Sequence, residues 1–334
     1  MLKSLIEDLM RPEALPDPAK QILLVQTHIS LVFVADEFVY KVKKPVNFGF
    51  LDFTTFEKRA FYCRQELNLN RRLAKDVYLN VLPIRFDGKK HSMRSRKGKI
   101  VEHAVKMKRI SEQRLMKSLY EGGSLTETHL RRLARRLATF HLHALKNPQI
   151  DVFGQANRFR INTEENFSQI RPYLGIGIEK AQFKALQEWT DRFYRTRRDL
   201  FDQRIRQGRI RDCHGDLHME HVCFSRSLSI IDCIEFNDRF RYSDTVADIA
   251  FLLMDLEYHG GKNYSALLWK HYSEFAGEEE AVEPLLDFYK VYRAVVRGKV
   301  NSFQRDDPTI SAEDKDKAVQ RARKYFTLAC SYIA

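Results

Sequence analysis

The order of hydrophobic and polar residues divides the chain into a strand-rich first part and a helical remainder. In the first part, short apolar and β-branched runs alternate with polar turns, a pattern typical of β-strands. One segment between them repeats apolar positions at helical spacing among many charges. We predict strands at Ile22–Val25, Ile29–Val34, Phe38–Val42, Val77–Arg85 and Lys99–Lys108, and a helix at Phe53–Leu73.

Helical spacing of apolar residues dominates the chain after residue 110. The sequence Ser124-Leu125-Thr126-Glu127 has the pattern of a capping box and predicts a helix that continues to Leu145. Further helices are predicted at Lys180–Gln207, Asp244–Tyr258, Lys262–Phe275, Ala281–Phe303 and Ser311–Ala334.

These elements predict an α+β fold with two lobes, a small antiparallel β-rich N-lobe and a larger helical C-lobe. We expect residues 1–20 to form an N-terminal helical extension that starts with a short amphipathic helix. Residues 21–110 are expected to form the β-rich lobe, and residues 111–334 the helical lobe.

Composition narrows the class of protein. The net charge is +13 and the sequence pI is about 9.4, which favours anionic partners such as nucleotides, phosphorylated metabolites or RNA. No apolar run approaches the ~20 residues that a membrane helix needs, and the N-terminus lacks a signal-peptide pattern. Five cysteines without a CxxC spacing indicate free thiols. We therefore expect a cytoplasmic protein without a membrane partner.

Two aspartates in short polar motifs are the main candidates for chemistry. Asp216 lies in His214-Gly215-Asp216-Leu217-His218, and Asp232 follows the apolar residues Ile230-Ile231. Phosphoryl transfer from ATP needs such a pair, because one carboxylate orients and deprotonates an acceptor hydroxyl while another holds Mg²⁺. An aspartate in a loop is placed for the first role, and one at a strand end for the second. Glu235 is either a second metal ligand or holds the loop, and His214 braces the loop.

The order of several motifs resembles that of the aminoglycoside phosphotransferase/choline kinase-like family, which has a protein-kinase-like fold. The similarity is to bacterial aminoglycoside phosphotransferase-domain proteins, often fused to a P-loop ATPase domain, and covers most of residues 20–300. The matching segments are THISLVFVADEFVYKVKKPVNFGFLDF, EKRAFYCRQELNLNRRLAKDVYLNVLPI, VEHAVKMKRI, ENFSQIRPYLG, HGDLH, IDCIEFNDRF and DIAFLLMDLEYHG.

The resemblance implies a role for each matching residue. Asp216 corresponds to the catalytic-loop aspartate, Asp232 to the metal-binding aspartate, and Asp248 to a buried aspartate that steadies the loop. Lys41 and Lys43 both lie where a strand lysine contacts the nucleotide phosphates, and the pattern leaves both open. The remaining expected nucleotide-site residues are Glu66 as partner of that lysine, Thr27 and Ser30 in the phosphate turn, and Glu102 and Ala104 in an inter-lobe hinge.

One residue departs from the family pattern. The family reads HGDLHxxN, and the asparagine supplies an oxygen to the metal, whereas this chain has His221 at that position. Imidazole suits Mn²⁺ better than Mg²⁺. Three alternatives remain open: a slow kinase that leaves the metal to Asp232 and water, a kinase that prefers Mn²⁺, and a pseudokinase that binds nucleotide without transfer.

The acceptor pocket is expected in the helical lobe, on the resemblance alone, with candidate lining residues Glu165, Asn166, Arg171 and Tyr173. The positive charge of the chain disfavours a polycationic aminoglycoside as acceptor.

The leading hypothesis is therefore an ATP-dependent phosphotransferase acting on a small hydroxylated molecule. A nucleotide-binding pseudokinase and, on charge alone, an RNA-associated protein are the alternatives. The chain has no GxxxxGK[ST] motif, so we expect any P-loop ATPase activity to reside on a separate partner.

Overall fold

The computed structural model describes residues 2–307 and 310–334, so Met1 lies outside the described residues. Its strands, in chain order, are β1 (Leu23–Gln26), β2 (Ser30–Val34), β3 (Phe38–Lys43), β4 (Tyr78–Phe86), β5 (His91–Ser92), β6 (Lys99–Lys108), β7 (Ile210–Asp212), β8 (Val222–Cys223), β9 (Ser229–Ile230) and β10 (Tyr242–Asp244). Its α-helices are α1 (Leu2–Leu9), α2 (Phe56–Ala74), α3 (Met116–Glu121), α4 (Glu127–His143), α5 (Pro148–Asp151), α6 (Ala156–Ile170), α7 (Lys180–Thr196), α8 (Arg198–Arg206), α9 (Asp238–Arg241), α10 (Thr245–Tyr258), α11 (Lys262–Ala276), α12 (Glu283–Phe303) and α13 (Ala312–Ser331).

A six-stranded antiparallel sheet forms the centre of the first of two compact units. The strand order is β1-β2-β3-β6-β4-β5, so β3 and β6 are neighbours in the middle of the sheet. Alternation along β2 and β3 buries Leu31, Phe33, Tyr40 and Val42 in a core that also receives Leu5 and Leu9 of α1. Helix α2 packs on the sheet and contacts β4 and β6.

The boundary between the two units differs from the predicted one at residue 110. The β-rich unit continues to Ser124 and also contains Glu220–Asp238, which the sequence placed in the helical lobe. Backbone hydrogen bonds account for this, because Phe224 N–H donates to the carbonyl of Arg114 at 2.8 Å. In addition, Cys233 N–H donates to Asn70 Oδ1 at 2.9 Å.

The second unit, Leu125–Met219 and Arg239–Ala334, is mainly helical. Its core lies between α6, α7, α10, α12 and α13. Helix α10 is apolar on nearly every side and almost wholly buried, which is typical of a central helix. The predicted α+β class, with a small antiparallel β-rich part and a larger helical part, is confirmed.

Local sequence signals misplaced some helix boundaries. The predicted capping box at Ser124 is wrong: Thr126 is the N-cap, its hydroxyl accepts from His129 N–H, and the His129 ring accepts from Thr126 N–H. The predicted helix Lys180–Gln207 is interrupted at Arg197, whose φ is −131°. The interruption allows Phe193 and Phe201 to pack around the same aromatic side chain, Phe288. Helices α3, α5, α6 and α9 were not predicted.

Two general expectations concern the membrane and the cysteines. Within residues 2–307 and 310–334, no helix is both long and apolar enough to span a bilayer. The cysteines are all free thiols as predicted, and four of the five are buried.

Close packing of the backbone in the segment between β4 and β6 requires a glycine at position 98. Gly98 has φ +91°, and a Cβ atom there would lie 2.3 Å from the carbonyl oxygen of Phe86. Gly88 has a similar φ of +97° but open space around it. We expect Gly98→Ala to lower the melting temperature clearly more than Gly88→Ala, because both changes incur the left-handed backbone cost of about 1–2 kcal/mol and only the first adds a clash. Equal melting temperatures, measured by circular dichroism, would contradict this account.

Candidate active site

Two lysines of β3 share one glutamate of α2 in the β-rich unit. Their side chains leave the same face of the strand because alternate residues point the same way. Lys41 Nζ lies 2.9 Å from Glu66 Oε1, and Lys43 Nζ lies 2.8 Å from Glu66 Oε2. The predicted lysine–glutamate contact is thus present for both lysines.

The surroundings of the two lysines differ. Lys43 is 1% exposed, contacts Glu235 as well as Glu66, and lies 4.8 Å from the centre of the Phe53 ring. Lys41 is 13% exposed and reaches Asp232 Oδ1 at 2.7 Å, while the Asp232 side chain is 44% exposed. Only Lys41 therefore contacts a carboxylate that is open to solvent.

Charge pairing holds both lysines in the protonated form. Burial alone would lower the pKa of Lys43, but the charges of Glu235 and Glu66 outweigh it and raise the pKa. The same balance raises the pKa of Lys41, with Asp232 and Glu66 as the opposing charges. Burial raises the pKa of Glu66, but the two lysines reverse this effect and lower it.

Asp232 has an unusual backbone conformation. Its φ of +61° lies in the left-handed region, and it is the only non-glycine residue with positive φ in the described part of the chain. Tyr78 accepts from Asp232 N–H at 3.2 Å, and Asn70 accepts from the following N–H of Cys233. Such strain occurs where the surrounding structure imposes it and often marks a functional site. These contacts fix the backbone from which the Asp232 side chain projects.

His221 lies beside Asp232 in the same unit. Its Nε2 is 3.6 Å from Asp232 Oδ2, and its carbonyl accepts from Ile231 N–H at 2.9 Å. A nitrogen and a carboxylate oxygen at this separation fit two ligands of one divalent ion. Glu235, the third predicted metal ligand, instead bonds to Lys43 and is 5% exposed. The donors at this position therefore fit a metal through Asp232 and His221.

In the predicted phosphate turn, backbone N–H groups donate hydrogen bonds to a side chain of the same turn. The hydroxyl of Thr27 accepts from Ser30 N–H at 3.0 Å and from Ile29 N–H at 3.3 Å. The Ser30 hydroxyl oxygen is fully buried and has no hydrogen-bond partner among the residues that the structure describes. Neither N–H is available to phosphate in this arrangement, so Thr27 and Ser30 drop out of the proposed nucleotide contacts.

The structure places the predicted hinge residues Glu102 and Ala104 within a strand. Both residues lie inside β6, where Ala104 pairs with Val42 of β3 and Leu82 of β4. The Glu102 carboxylate accepts from Arg59 Nε at 2.6 Å. The backbone groups of Ala104 are used by two neighbouring strands and cannot also bind adenine, and Glu102 pairs with Ile84 of β4. The chain leaves the sheet only after Lys108.

The loop that carries Asp216 is held by α10 of the helical unit. Asp248 accepts from the N–H groups of His214 and Gly215 at 3.0 and 2.8 Å, and from His141 Nε2 at 3.1 Å. Burial would raise the pKa of Asp248, but these hydrogen bonds and the nearby His141 hold it far below its usual range. His214 Nδ1 in turn accepts from Asp216 N–H at 3.3 Å. Asp248 and His214 thus both accept hydrogen bonds from backbone N–H groups of this loop.

Sequence reasoning missed further residues that fix this loop. Asp255 lies two helical turns after Asp248 and accepts from Met219 N–H at 2.9 Å, so one face of α10 holds both ends of the loop. From α12, Arg293 donates to the carbonyls of Gly215 and Ala247. The seven-residue spacing of Asp248 and Asp255 was a usable signal, whereas nothing in the sequence marks Arg293.

The Asp216 side chain is 34% exposed and lies 3.7 Å from His218 Nε2. Burial alone would lower the pKa of His218, but the charge of Asp216 raises it overall. Asp216 is thus an accessible carboxylate on a loop that is fixed on both sides.

The four predicted acceptor residues are engaged with protein neighbours. Glu165 pairs with Arg239, and Asn166 Oδ1 accepts from Lys299 at 2.7 Å. Tyr173 donates to Asp306, and the Arg171 guanidinium lies 5.5 Å from the Phe183 ring centre. Burial lowers the pKa of Lys299 to about 8. Glu165 and Asn166 lie together on α6, whereas Arg171 and Tyr173 lie in the turn that follows it.

Comparison with known proteins places the chain in a family. The sequence model of the phosphotransferase enzyme family matches residues 57–285, more than half of the chain. The chain belongs to the phosphotransferase enzyme family, as the order of its motifs predicted. Uncharacterized proteins of Mycobacterium tuberculosis and Mycobacterium bovis are each 33% identical over 291 residues, which is 86% of this chain and 56% of each relative. The chain therefore spans about half the length of these curated relatives.

Solved structures confirm the protein-kinase-like fold. An amicoumacin kinase in complex with AMP-PNP, Ca²⁺ and its ligand aligns with a TM-score of 0.52 at 12% identity, covering 92% of this chain and 88% of that chain. The GDP complex of aminoglycoside 2'-phosphotransferase-IIIa aligns with a TM-score of 0.51 at 14% identity, covering 97% and 98%. A microcompartment-associated aminopropanol kinase gives 0.51 at 13% identity, covering 93% and 92%.

The two lysines are expected to differ in their contribution to stability. Lys43→Met leaves the buried carboxylates of Glu66 and Glu235 short of a cation, and breaking a buried pair in this way costs about 3–5 kcal/mol. Lys41→Met deprives mainly the half-exposed Asp232, so its effect should be smaller. Thermal unfolding followed by circular dichroism compares the variants, and an equal or larger loss in Lys41→Met would refute the distinction.

Proposed function

We propose that the protein is an ATP-dependent phosphotransferase that transfers the γ-phosphoryl group to a hydroxyl of a small molecule. One observation carries the proposal: Asp232, in a strained and fixed conformation, contacts Lys41, which also pairs with Glu66. A lysine–glutamate pair beside a metal-binding aspartate is the constellation that positions nucleotide phosphates and their ion.

Lys41 is the proposed phosphate contact. Its ammonium lies beside an exposed carboxylate, so a phosphate–metal complex at Asp232 would be within its reach. Lys43 serves a different purpose, because it is enclosed by Glu66, Glu235 and Phe53. Glu235 is then a partner of Lys43, and it orients the lysine and the segment after Asp232.

A divalent ion fits the donors Asp232 and His221, and Mg²⁺ or Mn²⁺ is the proposed cofactor. When bound, the ion neutralises charge on the phosphates. The amicoumacin kinase complex contains a nucleotide analogue together with Ca²⁺, which is consistent with this cofactor class.

Asp216 is the proposed base. The acceptor hydroxyl donates its proton to the Asp216 carboxylate while the hydroxyl oxygen forms a bond to the γ-phosphorus. The bond between that phosphorus and its bridging oxygen breaks, and ADP leaves with the electron pair. Asp248, Asp255 and Arg293 position the loop and do not touch the reacting atoms in this scheme.

Mutation of Asp216 tests this function directly. We expect Asp216→Ala to lower ATP turnover by at least about 10²-fold, the usual contribution of a general base, and to retain nucleotide binding. Asp199→Ala, an exposed aspartate of α8, is the matched control. ADP release measures turnover, and the shift of the melting temperature by ATP measures binding. Full activity in Asp216→Ala excludes the proposed role.

A nucleotide-binding protein without transfer activity is the second candidate, and His221 is the observation that favours it. Replacement of an oxygen donor by imidazole beside Asp232 changes the metal preference of the site. A pseudokinase predicts stabilisation by ATP with no turnover in either Mg²⁺ or Mn²⁺.

The effect of His221 on the metal is measurable. If His221 binds the ion, His221→Asn should raise the ratio of turnover with Mg²⁺ to turnover with Mn²⁺, because an amide oxygen suits Mg²⁺ better. His143→Asn, an exposed histidine at the end of α4, is the control. An unchanged ratio would show that His221 does not bind the ion.

A further inference from the structure

Helix α12 of the helical unit contacts the loop that carries Asp216 through Arg293. Arg293 donates to the carbonyl of Gly215, the residue before Asp216, at 3.0 Å. Arg297 follows one turn later on the same face of α12, where side chains four residues apart are neighbours. Burial alone would lower the pKa of Arg297, but Tyr325 and the charge of Asp216 together raise it above its usual value.

The hydrogen-bonding capacity of Arg297 is mostly unused. A guanidinium group has five N–H donors. Arg297 Nε donates to the Tyr325 hydroxyl at 3.4 Å, a long hydrogen bond, and the guanidinium carbon lies 5.6 Å from the Tyr325 ring centre. Among residues 2–307 and 310–334, the Arg297 guanidinium forms no other hydrogen bond or ion pair. Its terminal nitrogens therefore have donors to offer to a ligand.

The two carboxylates of α10 beside the loop, those of Asp248 and Asp255, already accept hydrogen bonds. Asp248 accepts three hydrogen bonds from His214, Gly215 and His141. Asp255 accepts from the Met219 N–H. Both acids of α10 that contact the loop thus use their carboxylates to hold its backbone.

The predicted acceptor residues show the same imbalance. Glu165 is paired with Arg239, and within the described part of the chain Lys299 has only the neutral oxygens of Asn166 and Gln169 as hydrogen-bond acceptors. A polycationic acceptor would need free carboxylates, whereas an oxyanion would match the unused donors of a guanidinium.

We propose that Arg297 binds an oxyanion of the phosphate acceptor, so that the acceptor is a hydroxylated molecule that also carries a carboxylate or a phosphate group. This inference rests on the proposed phosphotransferase function. Arg297 then orients the acceptor so that the acceptor hydroxyl lies at the Asp216 carboxylate.

Acceptors that differ only in charge test the inference. Glycerate, glycerol 3-phosphate, glycerol and 3-amino-1,2-propanediol share two adjacent hydroxyls and carry a carboxylate, a phosphate, no charge and an ammonium, respectively. Glucuronate, glucose 6-phosphate, glucose and glucosamine form a second, larger series. We expect wild-type protein to phosphorylate an anionic member of at least one series with the highest kcat/KM, and the carboxylate and phosphate members distinguish the two kinds of oxyanion.

Substitution of Arg297 should change this preference. Arg297→Ala should lower the ratio of kcat/KM for the anionic member to that for the neutral member about 10- to 100-fold, mainly through KM, as expected for a lost charge-assisted hydrogen bond. Arg297→Lys should recover part of the ratio, and Arg297→Glu should favour the amine. Arg305→Ala, an exposed arginine after α12, should leave the ratio unchanged.

Inorganic phosphate provides a test that needs no acceptor turnover. With saturating AMP-PNP present, phosphate should raise the melting temperature of wild-type and Arg305→Ala protein and not that of Arg297→Ala. The same shift in Arg297→Ala overturns the inference, as does an equal loss of kcat/KM for every acceptor, which would place Arg297 on the transferred phosphoryl group instead. If wild-type protein shows neither ATP turnover nor transfer to any acceptor, the proposed function itself is refuted.

Discussion

The buried charge cluster of Lys41, Lys43, Glu66 and Glu235 is the constraint on which the β-rich unit depends. A lysine that is 1% exposed is tolerable only with carboxylates in contact, and here two carboxylates surround Lys43. The cluster ties β3 to α2 and to the segment after β9. Lys41 then extends the same cluster to Asp232, which is exposed enough to receive a ligand. Structural charge pairing and proposed phosphate binding thus share one glutamate.

The helical unit holds the backbone of the loop that carries Asp216. Helix α10 contributes Asp248 to the start of the loop and Asp255 to its end, two turns apart on one face. Helix α12 adds Arg293 at the Gly215 carbonyl. Backbone groups that bond to buried charged side chains are costly to release. Asp216 is therefore a partly exposed carboxylate on a fixed backbone.

The sequence could predict much of this arrangement, because strand alternation, helical spacing and the order of short motifs are local signals. They predicted β2, β3, α2 and α10, which the structure contains. The family resemblance added Lys41, Lys43 and Glu66 to Asp216 and Asp232 as site candidates. The hinge at Glu102 was misplaced because the end of β6 depends on its pairing with β3 and β4, which no local pattern specifies. Thr126 replaced Ser124 as N-cap because two cap-forming residues lie close together. Arg293 was missed because its contact with the Gly215 carbonyl arises only where α12 meets the loop.

The most direct test of the central claim is ³¹P NMR of the wild-type protein with ATP, in Mg²⁺ and then in Mn²⁺, over a panel of hydroxylated acceptors. We predict loss of the γ-phosphate signal, formation of ADP and a new phosphomonoester signal with at least one acceptor. Stabilisation of the protein by ATP, with no ADP and no phosphomonoester in either metal, would contradict the phosphotransferase account and favour a protein that only binds nucleotide.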